Sequence, residues 1–329
     1  MKITVTIAVY KEIKILRRCL KQLATQEFPF ERFEILLCGS NSSPKIQSLV
    51  DETLLEYPKL DLRLINTSNN LSCKRNVGVR NAKYQIVTFL DDDCIIEKDY
   101  LNKISKLKFR TEDGSPVIYS GEVRFPNAWA KRFNYYRFRD NEGFKFDTSS
   151  ITLNFRTIVV MNLAFLKSDI QTKSLYCNPA FTGYGMEDQD FGFRAEKLGF
   201  KLFSGNFRVI HHEKSRTIEG YGKKVFHTAR DGVTNLIKIN KDCFHAMPHL
   251  KLVDPRYPLT DLRRMFWGFA RFIVLSKLMR KGYLVYCRCT DNKRFFYSNF
   301  IFRLVLASYY YEGARASAFG VDLEKDWYK

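Results

Sequence analysis

Ile86-Val-Thr-Phe-Leu-Asp-Asp-Asp93 decides the reading of this 329-residue chain. Apolar and β-branched residues run together and stop on three carboxylates. A short run of this kind, bounded by turn-forming residues, reads as a buried strand. Three consecutive aspartates at its end repel one another, so a cation is their natural partner. Asp91 and Asp93 are two apart and point the same way in an extended turn. A hard divalent ion such as Mg²⁺ or Mn²⁺ takes oxygen ligands and bridges to phosphate oxygens. The plainer alternative is a solvated turn with a helix cap, because aspartate is common in turns.

Upstream, strand and helix patterns alternate. Ile3–Tyr10 reads as a strand, and Lys11–Thr25 is helical with Ile13, Leu16, Leu20 and Leu23 on one face. Phe33–Cys38 is a second strand, running into the turn-rich Gly39-Ser-Asn-Ser-Ser-Pro44. A helix over Lys45–Tyr57, a strand over Leu62–Asn66 and a helix over Ser72–Ala82 lead to the strand Gln85–Leu90. This order predicts an α/β fold with a doubly wound, mostly parallel, Rossmann-like sheet. Ligands of such sheets bind beyond the C-terminal strand ends, where Asp91, Asp92 and Asp93 fall.

Downstream the pattern is mixed. Val117–Phe125 and Thr157–Phe165 read as strands, and the aromatic, charged Trp129–Phe146 between them as a helix and a loop. Glu187–Leu198 reads as a helix stopped by Gly199, and Lys201–Ile210 as a last strand before His211-His212-Glu213. From about Arg216 the segments are helical, basic and aromatic. A catalytic domain is therefore expected over residues 1–215, with halves at 1–95 and 96–215, followed by a helical extension over 216–329.

Several stretches resemble one family in order and spacing. Arg75-Asn76-Val-Gly78, then Ala82, then Ile86 to Asp93, is similar to the family 2 glycosyltransferases of the GT-A fold. So are Ala8-Val-Tyr10 with Glu12, Asn162-Leu-Ala-Phe-Leu-Lys167, Gly183-Tyr-Gly-Met-Glu187-Asp188 and Val209-Ile-His211. The resemblance covers about residues 1–215. It implies transfer of a sugar, with inversion, from a nucleotide-sugar donor, most commonly a UDP-sugar, with Mn²⁺ or Mg²⁺. The acceptor implied is a hydroxyl of a cell-envelope glycan (capsule, lipopolysaccharide or a related polymer), free or lipid-linked. By resemblance Ala8, Tyr10, Glu12 and Arg75 lie on the donor side. Asp93 is a metal ligand, and Asp91 and Asp92 contact donor or metal. His211 completes the metal site; His212 is the alternative, since neighbours on a strand point to opposite faces. Asp188 matches the family's base, with Glu187 and Tyr184 toward the acceptor. One departure stands out. The family's second strand ends in an aspartate that contacts the nucleotide base, whereas Leu37-Cys-Gly-Ser-Asn41 has no acid, leaving Asn41 or backbone groups to take its place.

The physics of Glu187-Asp188 agrees with that role. An acceptor hydroxyl needs a base as it attacks the anomeric carbon. A carboxylate at a helix N-terminus is held ionised by backbone N–H groups and the dipole. Helix capping alone is the alternative.

The net charge is +19, from 54 Lys and Arg against 35 Asp and Glu. Residues 216–329 hold 21 of those bases and 10 of those acids, so +11 of the charge lies there. Met265–Lys281 and Phe295–Tyr311 interleave aromatics with Arg and Lys, as basic amphipathic helices on an anionic membrane do. Helices that merely cover the catalytic domain would share the pattern. Met265–Met279 is broken by Arg271 and Lys277, and no run reaches the roughly 20 apolar residues of a spanning helix. A cytoplasmic protein, soluble or peripheral on the inner face of the plasma membrane, is expected. Eight cysteines form no CxxC pair and suit a reducing compartment. Nucleic acid is not expected as a partner, because bare aspartates repel phosphate and no nucleic-acid motif appears. A nucleotidyltransferase would want a glycine-rich loop near residue 10, and Ala8–Glu12 has no glycine. A non-catalytic scaffold would have little use for an intact carboxylate set.

Overall fold

The computed structural model describes residues 1–10, 13–39, 44–142, 151–213, 217–256 and 262–318. The first half follows the predicted alternation: β1 (Ile3–Ala8), α1 (Ile13–Ala24), β2 (Phe33–Gly39), α2 (Pro44–Glu56), β3 (Leu62–Asn66), α3 (Leu71–Asn81) and β4 (Ile86–Asp91). These four strands are mutually parallel, with Ala8 opposite both Cys38 and Asp91. Every residue of β1 and β2 is buried, as expected of a parallel sheet covered on both faces. On one face Ile3, Val5 and Ile7 pack with Leu16, Leu20 and Leu23 of α1. On the other, Val87 and Phe89 pack with Leu163, Phe165 and Phe191.

The second half continues with β5 (Cys94–Ile96), α4 (Tyr100–Ser105), β6 (Val117–Arg124), α5 (Asn127–Arg132), α6 (Asn134–Glu142), β7 (Asn162–Leu166), α7 (Lys167–Thr172), α8 (Glu187–Lys197) and β8 (Lys201–His211). All eight strands share one sheet, ordered β3-β2-β1-β4-β7-β6-β8-β5. β7 runs antiparallel to β4 and β6, and β5 antiparallel to β8. The strand expected to begin at Thr157 begins instead at Asn162. Asn154 and Thr157 exchange side-chain and backbone hydrogen bonds in a turn that occupies the first part of that β-branched run.

The chain divides into two compact units. One comprises Met1–Pro126, Gly143–Pro179 and Asp188–Glu213. The other comprises Asn127–Glu142, Ala180–Glu187 and Lys214–Lys329. The second contains α9 (Ile218–His227), a π-helical turn (Thr228–Gly232), α10 (Val233–Ile239), α11 (Lys241–His245), α12 (Leu262–Val274), α13 (Lys277–Thr290) and α14 (Asn299–Ala318). Its core is aromatic: Phe138 of α6 stacks on Phe302 of α14 at 5.1 Å between centroids. α14 lies close on α9, where a Cβ on Gly222 would come within 2.2 Å of the Tyr309 ring. Tyr309, Tyr310 and Tyr311 are all buried, so the end of the run Phe295–Tyr311 packs inside its own unit. Among the described residues, no helix is long and apolar enough to cross a membrane.

Candidate active site

The site grows from the ends of β1 and β4. Because Ala8 is paired with Asp91, the chain leaves both strands side by side. The Tyr10 backbone N–H then donates to Asp92 Oδ2 at 2.7 Å. Asp91, the last residue of β4, keeps a partly exposed carboxylate. Beyond the turn, β5 pairs with β8, placing Cys94 opposite His211. That register brings His211 Nε2 to 3.0 Å from Asp93 Oδ2, across 118 residues of sequence. The His212 N–H donates to the Asp93 carbonyl, which fixes the same corner through the backbone.

Helix α3 supplies the counter-charges. Its N-cap Asn70 accepts from the Cys73 N–H, and Ser72, Lys74, Arg75 and Asn76 are all buried. Gly78 allows this approach, since a Cβ there would lie 2.8 Å from the Thr6 side chain of β1. Asn76 ties the helix to the chain at Cys177 by two hydrogen bonds, 2.7 and 2.8 Å long. Arg75 then bridges two carboxylates: Nη2 lies 3.2 Å from Asp91 Oδ1, and Nη1 lies 3.6 Å from Asp188 Oδ1. Lys74 Nζ donates to the Val9 carbonyl at 2.7 Å and to Asn69 Oδ1 at 2.9 Å. It also sits 3.6 Å from the centre of the Tyr10 ring.

Asp188 opens α8 on the sheet-bearing unit. Its Oδ2 accepts from the Val160 N–H at 3.1 Å. Its Oδ1, buried and without a hydrogen bond among the described residues, faces Arg75. Burial raises the Asp188 pKa, with Arg75 acting in the opposite sense. Burial likewise raises that of Asp91, opposed by Arg75 and reinforced by Asp93. Asp92 is pushed up to about 7, chiefly by burial, against the Tyr10 hydrogen bond. Burial pulls Lys74 down to about 8, with Asp92 resisting. Two carboxylates thus share one guanidinium, beside a third whose pKa burial raises.

Asp93 and His211 present one carboxylate oxygen and one imidazole nitrogen toward each other, a donor pair suited to Mn²⁺ or Mg²⁺. Asp91, expected as a third ligand, is turned toward Arg75. Among the described residues no three His, Cys, Asp or Glu side chains gather as a ready-made metal cage. The pair fits an ion that takes its remaining ligands from water and phosphate, which is how Mg²⁺ is commonly bound at phosphate sites.

Glu12 and Asn41 lie outside the described residues. Tyr184 and Glu187 belong to the second unit. There Gly185, at φ +91°, and Met186, at φ +73°, adopt the left-handed region just before α8. A Cβ on Gly185 would meet Thr228 Oγ1 at 2.6 Å, so the π-helical turn holds this loop closely. A non-glycine residue at positive φ is a strain that persists where surroundings impose it, commonly beside functional residues. Asn76 entered the sequence reading only within the Arg75-Asn76-Val-Gly78 stretch, and Lys74 was not singled out. Their signal was a helix with hardly an apolar face leading into the buried strand β4.

Residues 4–167 match the family described as Glycosyl transferase family 2. Glycosyltransferase GlyA of Streptococcus pneumoniae is 30% identical over 145 residues, covering 43% of this chain and 18% of that protein. Glycosyltransferase AglE of Haloferax volcanii is 24% identical over 139 residues, covering 41% and 44%. Hyaluronan synthase of Pasteurella multocida is 25% identical over 221 residues, covering 55% and 21%. The chain thus spans less than half the length of these curated relatives. Among solved structures, the mannosyltransferase PcManGT of Pyrobaculum calidifontis, in complex with GDP-Man and Mn²⁺, superposes with a TM-score of 0.60 at 16% identity. That superposition covers 98% of this chain and 88% of that one, and it shows the shared GT-A fold. The chain carries a family 2 glycosyltransferase domain.

Proposed function

We propose that this domain transfers a sugar, with inversion, from a nucleoside diphosphate sugar to a hydroxyl of a cell-envelope glycan, and that it does so with a divalent metal. The observation that carries the reading is the convergence of Asp91, Asp93, Asp188 and His211 through Arg75 and the β5–β8 register. GDP-Man and Mn²⁺ in the Pyrobaculum mannosyltransferase support a diphosphate donor with a metal here. By resemblance UDP is the first nucleotide to try.

Asp93 and His211 would hold the metal, which when bound supplies positive charge to the leaving diphosphate. Arg75 bridges Asp91 and Asp188 and opposes the burial that favours their neutral forms. The acceptor oxygen forms its bond to the anomeric carbon as the bond to the phosphate oxygen breaks, and its proton passes to Asp188. Val160 N–H on Oδ2 and the Arg75 guanidinium facing Oδ1 hold that carboxylate in place. Tyr184 is a partly exposed ring suited to stacking on an acceptor sugar. A lipid-linked acceptor is met at a membrane surface, and we read the basic C-terminal helices as the part that rests there.

Calorimetric titration with UDP, GDP, dTDP and CDP, each with Mn²⁺ and with EDTA, tests the reading. Metal-dependent binding of one nucleotide is expected. Absence of binding by all four in the presence of metal would overturn the donor site.

A further inference from the structure

We infer that α12, the start of α13 and the Phe295-Phe296 turn form a face that docks on anionic lipid bilayers. The inference deepens the membrane reading of the C-terminal helices, and it stands or falls separately from the transferase reading.

Among its described side chains, helix α12 is amphipathic in the reverse sense. Phe266, Phe269 and Ile273 recur at helical spacing with Phe272 between them, and all four are exposed, Phe266 at 72% and Phe269 at 66%. Arg271, on the opposite side, is buried and donates to the Asp254 carbonyl. A helix in water turns its phenylalanines inward and its arginines outward. Here the chain spends a buried guanidinium to present aromatic rings.

The pattern continues across the turn into α13. Leu278 is 77% exposed, Met279 and Val285 are exposed, and Lys281, Arg288 and Cys289 share the Leu278–Val285 side of the helix. Phe295 is 92% exposed, with Phe296 and Phe300 also outward and Lys293, Arg294 and Arg303 exposed among them. Isolated exposed apolar residues are ordinary, but so many large ones in consecutive elements mark an interaction surface.

Charge selects the occupant. Residues 262–303 contain ten Lys or Arg and a single acid, Asp291; Lys277 and Arg280 pair with Glu312 and Arg288 with Glu219, while Lys281, Lys293, Arg294 and Arg303 are exposed on this stretch. A second copy of the chain would bring the same positive surface against itself. Aromatic and leucine side chains ringed by lysine and arginine suit the boundary between acyl chains and anionic headgroups, where rings insert and cations pair with phosphate.

The test is vesicle flotation of the full chain. Phosphatidylcholine vesicles with and without 30% phosphatidylglycerol are compared, at low salt and at 1 M NaCl. The wild type is expected to float with the anionic vesicles and to lose most of that binding in high salt. F266S/F269S/F272S is expected to lower the bound fraction at least tenfold while its melting temperature stays unchanged. A polarity-sensitive dye on Cys289, the exposed cysteine of α13, keeps the test independent of that variant's folding. Its emission should shift to the blue with anionic vesicles only. Flotation of the triple variant equal to wild type, no flotation of the wild type, or no dye shift overturns the inference. So does a concentration-dependent dimer in sedimentation that the triple variant abolishes. Nucleotide binding is measured on the same preparations. Wild type that binds nucleotide but does not float contradicts this inference alone, and wild type that floats but binds no nucleotide contradicts the donor site alone.

Discussion

Helices α3 and α12 both break the usual rule of an apolar side in and a polar side out, and they break it in opposite directions. In α3 the charged residues go inward: Lys74 and Arg75 are buried beside the ends of β1 and β4. In α12 the phenylalanines go outward while Arg271 is buried. Burying Arg75 is tolerated because two carboxylates meet it. Exposing Phe266 and Phe269 has no such compensation within the described residues. One inversion is satisfied by carboxylates of the protein itself, and the other we read as met by a lipid surface. An amphipathic pattern that runs backwards is thus informative only together with what faces the inverted side.

The largest effect is expected on the α3 side. Asp188→Asn removes the proposed proton acceptor, and turnover should fall by about 10²–10⁴ in steady-state assays of transfer. Near-normal turnover would mean the base lies elsewhere. Next, Arg75→Met leaves two partly buried carboxylates facing each other. Their partial exposure moderates the loss, which should be about 2–3 kcal/mol in urea unfolding. A change below about 0.5 kcal/mol would show that the bridge contributes little.

A smaller, pH-dependent effect belongs to Lys74. In the unfolded chain its ammonium keeps its proton to a pKa of 10.5, and in the folded chain only to about 8. Between those values the unfolded state binds more protons, so this group makes stability rise with pH across that window. Below pH 8 the cost of the buried charge is fully present. Lys74→Met should be more stable than wild type near pH 7 relative to pH 10.5, narrowing as pH rises; a constant difference would refute the shift. Phe269→Ala is expected to have the smallest effect, within about 0.5 kcal/mol of wild type. A loss of 3 kcal/mol, as for a buried phenylalanine, would show that the ring is covered in solution.

Much of the fold was legible because parallel strands buried on both faces read as continuous apolar runs. β1 through β4 fall within two residues of their expected limits, Tyr10 apart from the strand it was expected to end. The carboxylate cluster was legible because Asp91 to Asp93 end such a run. β5 was not, being three residues long, and the turn at Asn154–Thr157 was hidden by the β-branched residues that follow it. The partner of each carboxylate was also hidden. Arg75 lies 16 residues from Asp91 and 113 from Asp188, and only the packing of α3 against β1 and β2 brings them together. The outward face of α12 was invisible for the same reason: periodicity shows that a helix has two sides, not which one is covered.

The most direct measurement is calorimetric titration of Asp188→Asn and Asp93→Ala with the nucleotide that wild type binds in Mn²⁺. Asp188→Asn is expected to retain wild-type affinity within about twofold, since it removes only the proposed base. Asp93→Ala is expected to lose more than about tenfold, to the level of wild type in EDTA. Full metal-dependent affinity in Asp93→Ala, or lost affinity in Asp188→Asn, would contradict the division between donor-holding and proton-accepting carboxylates.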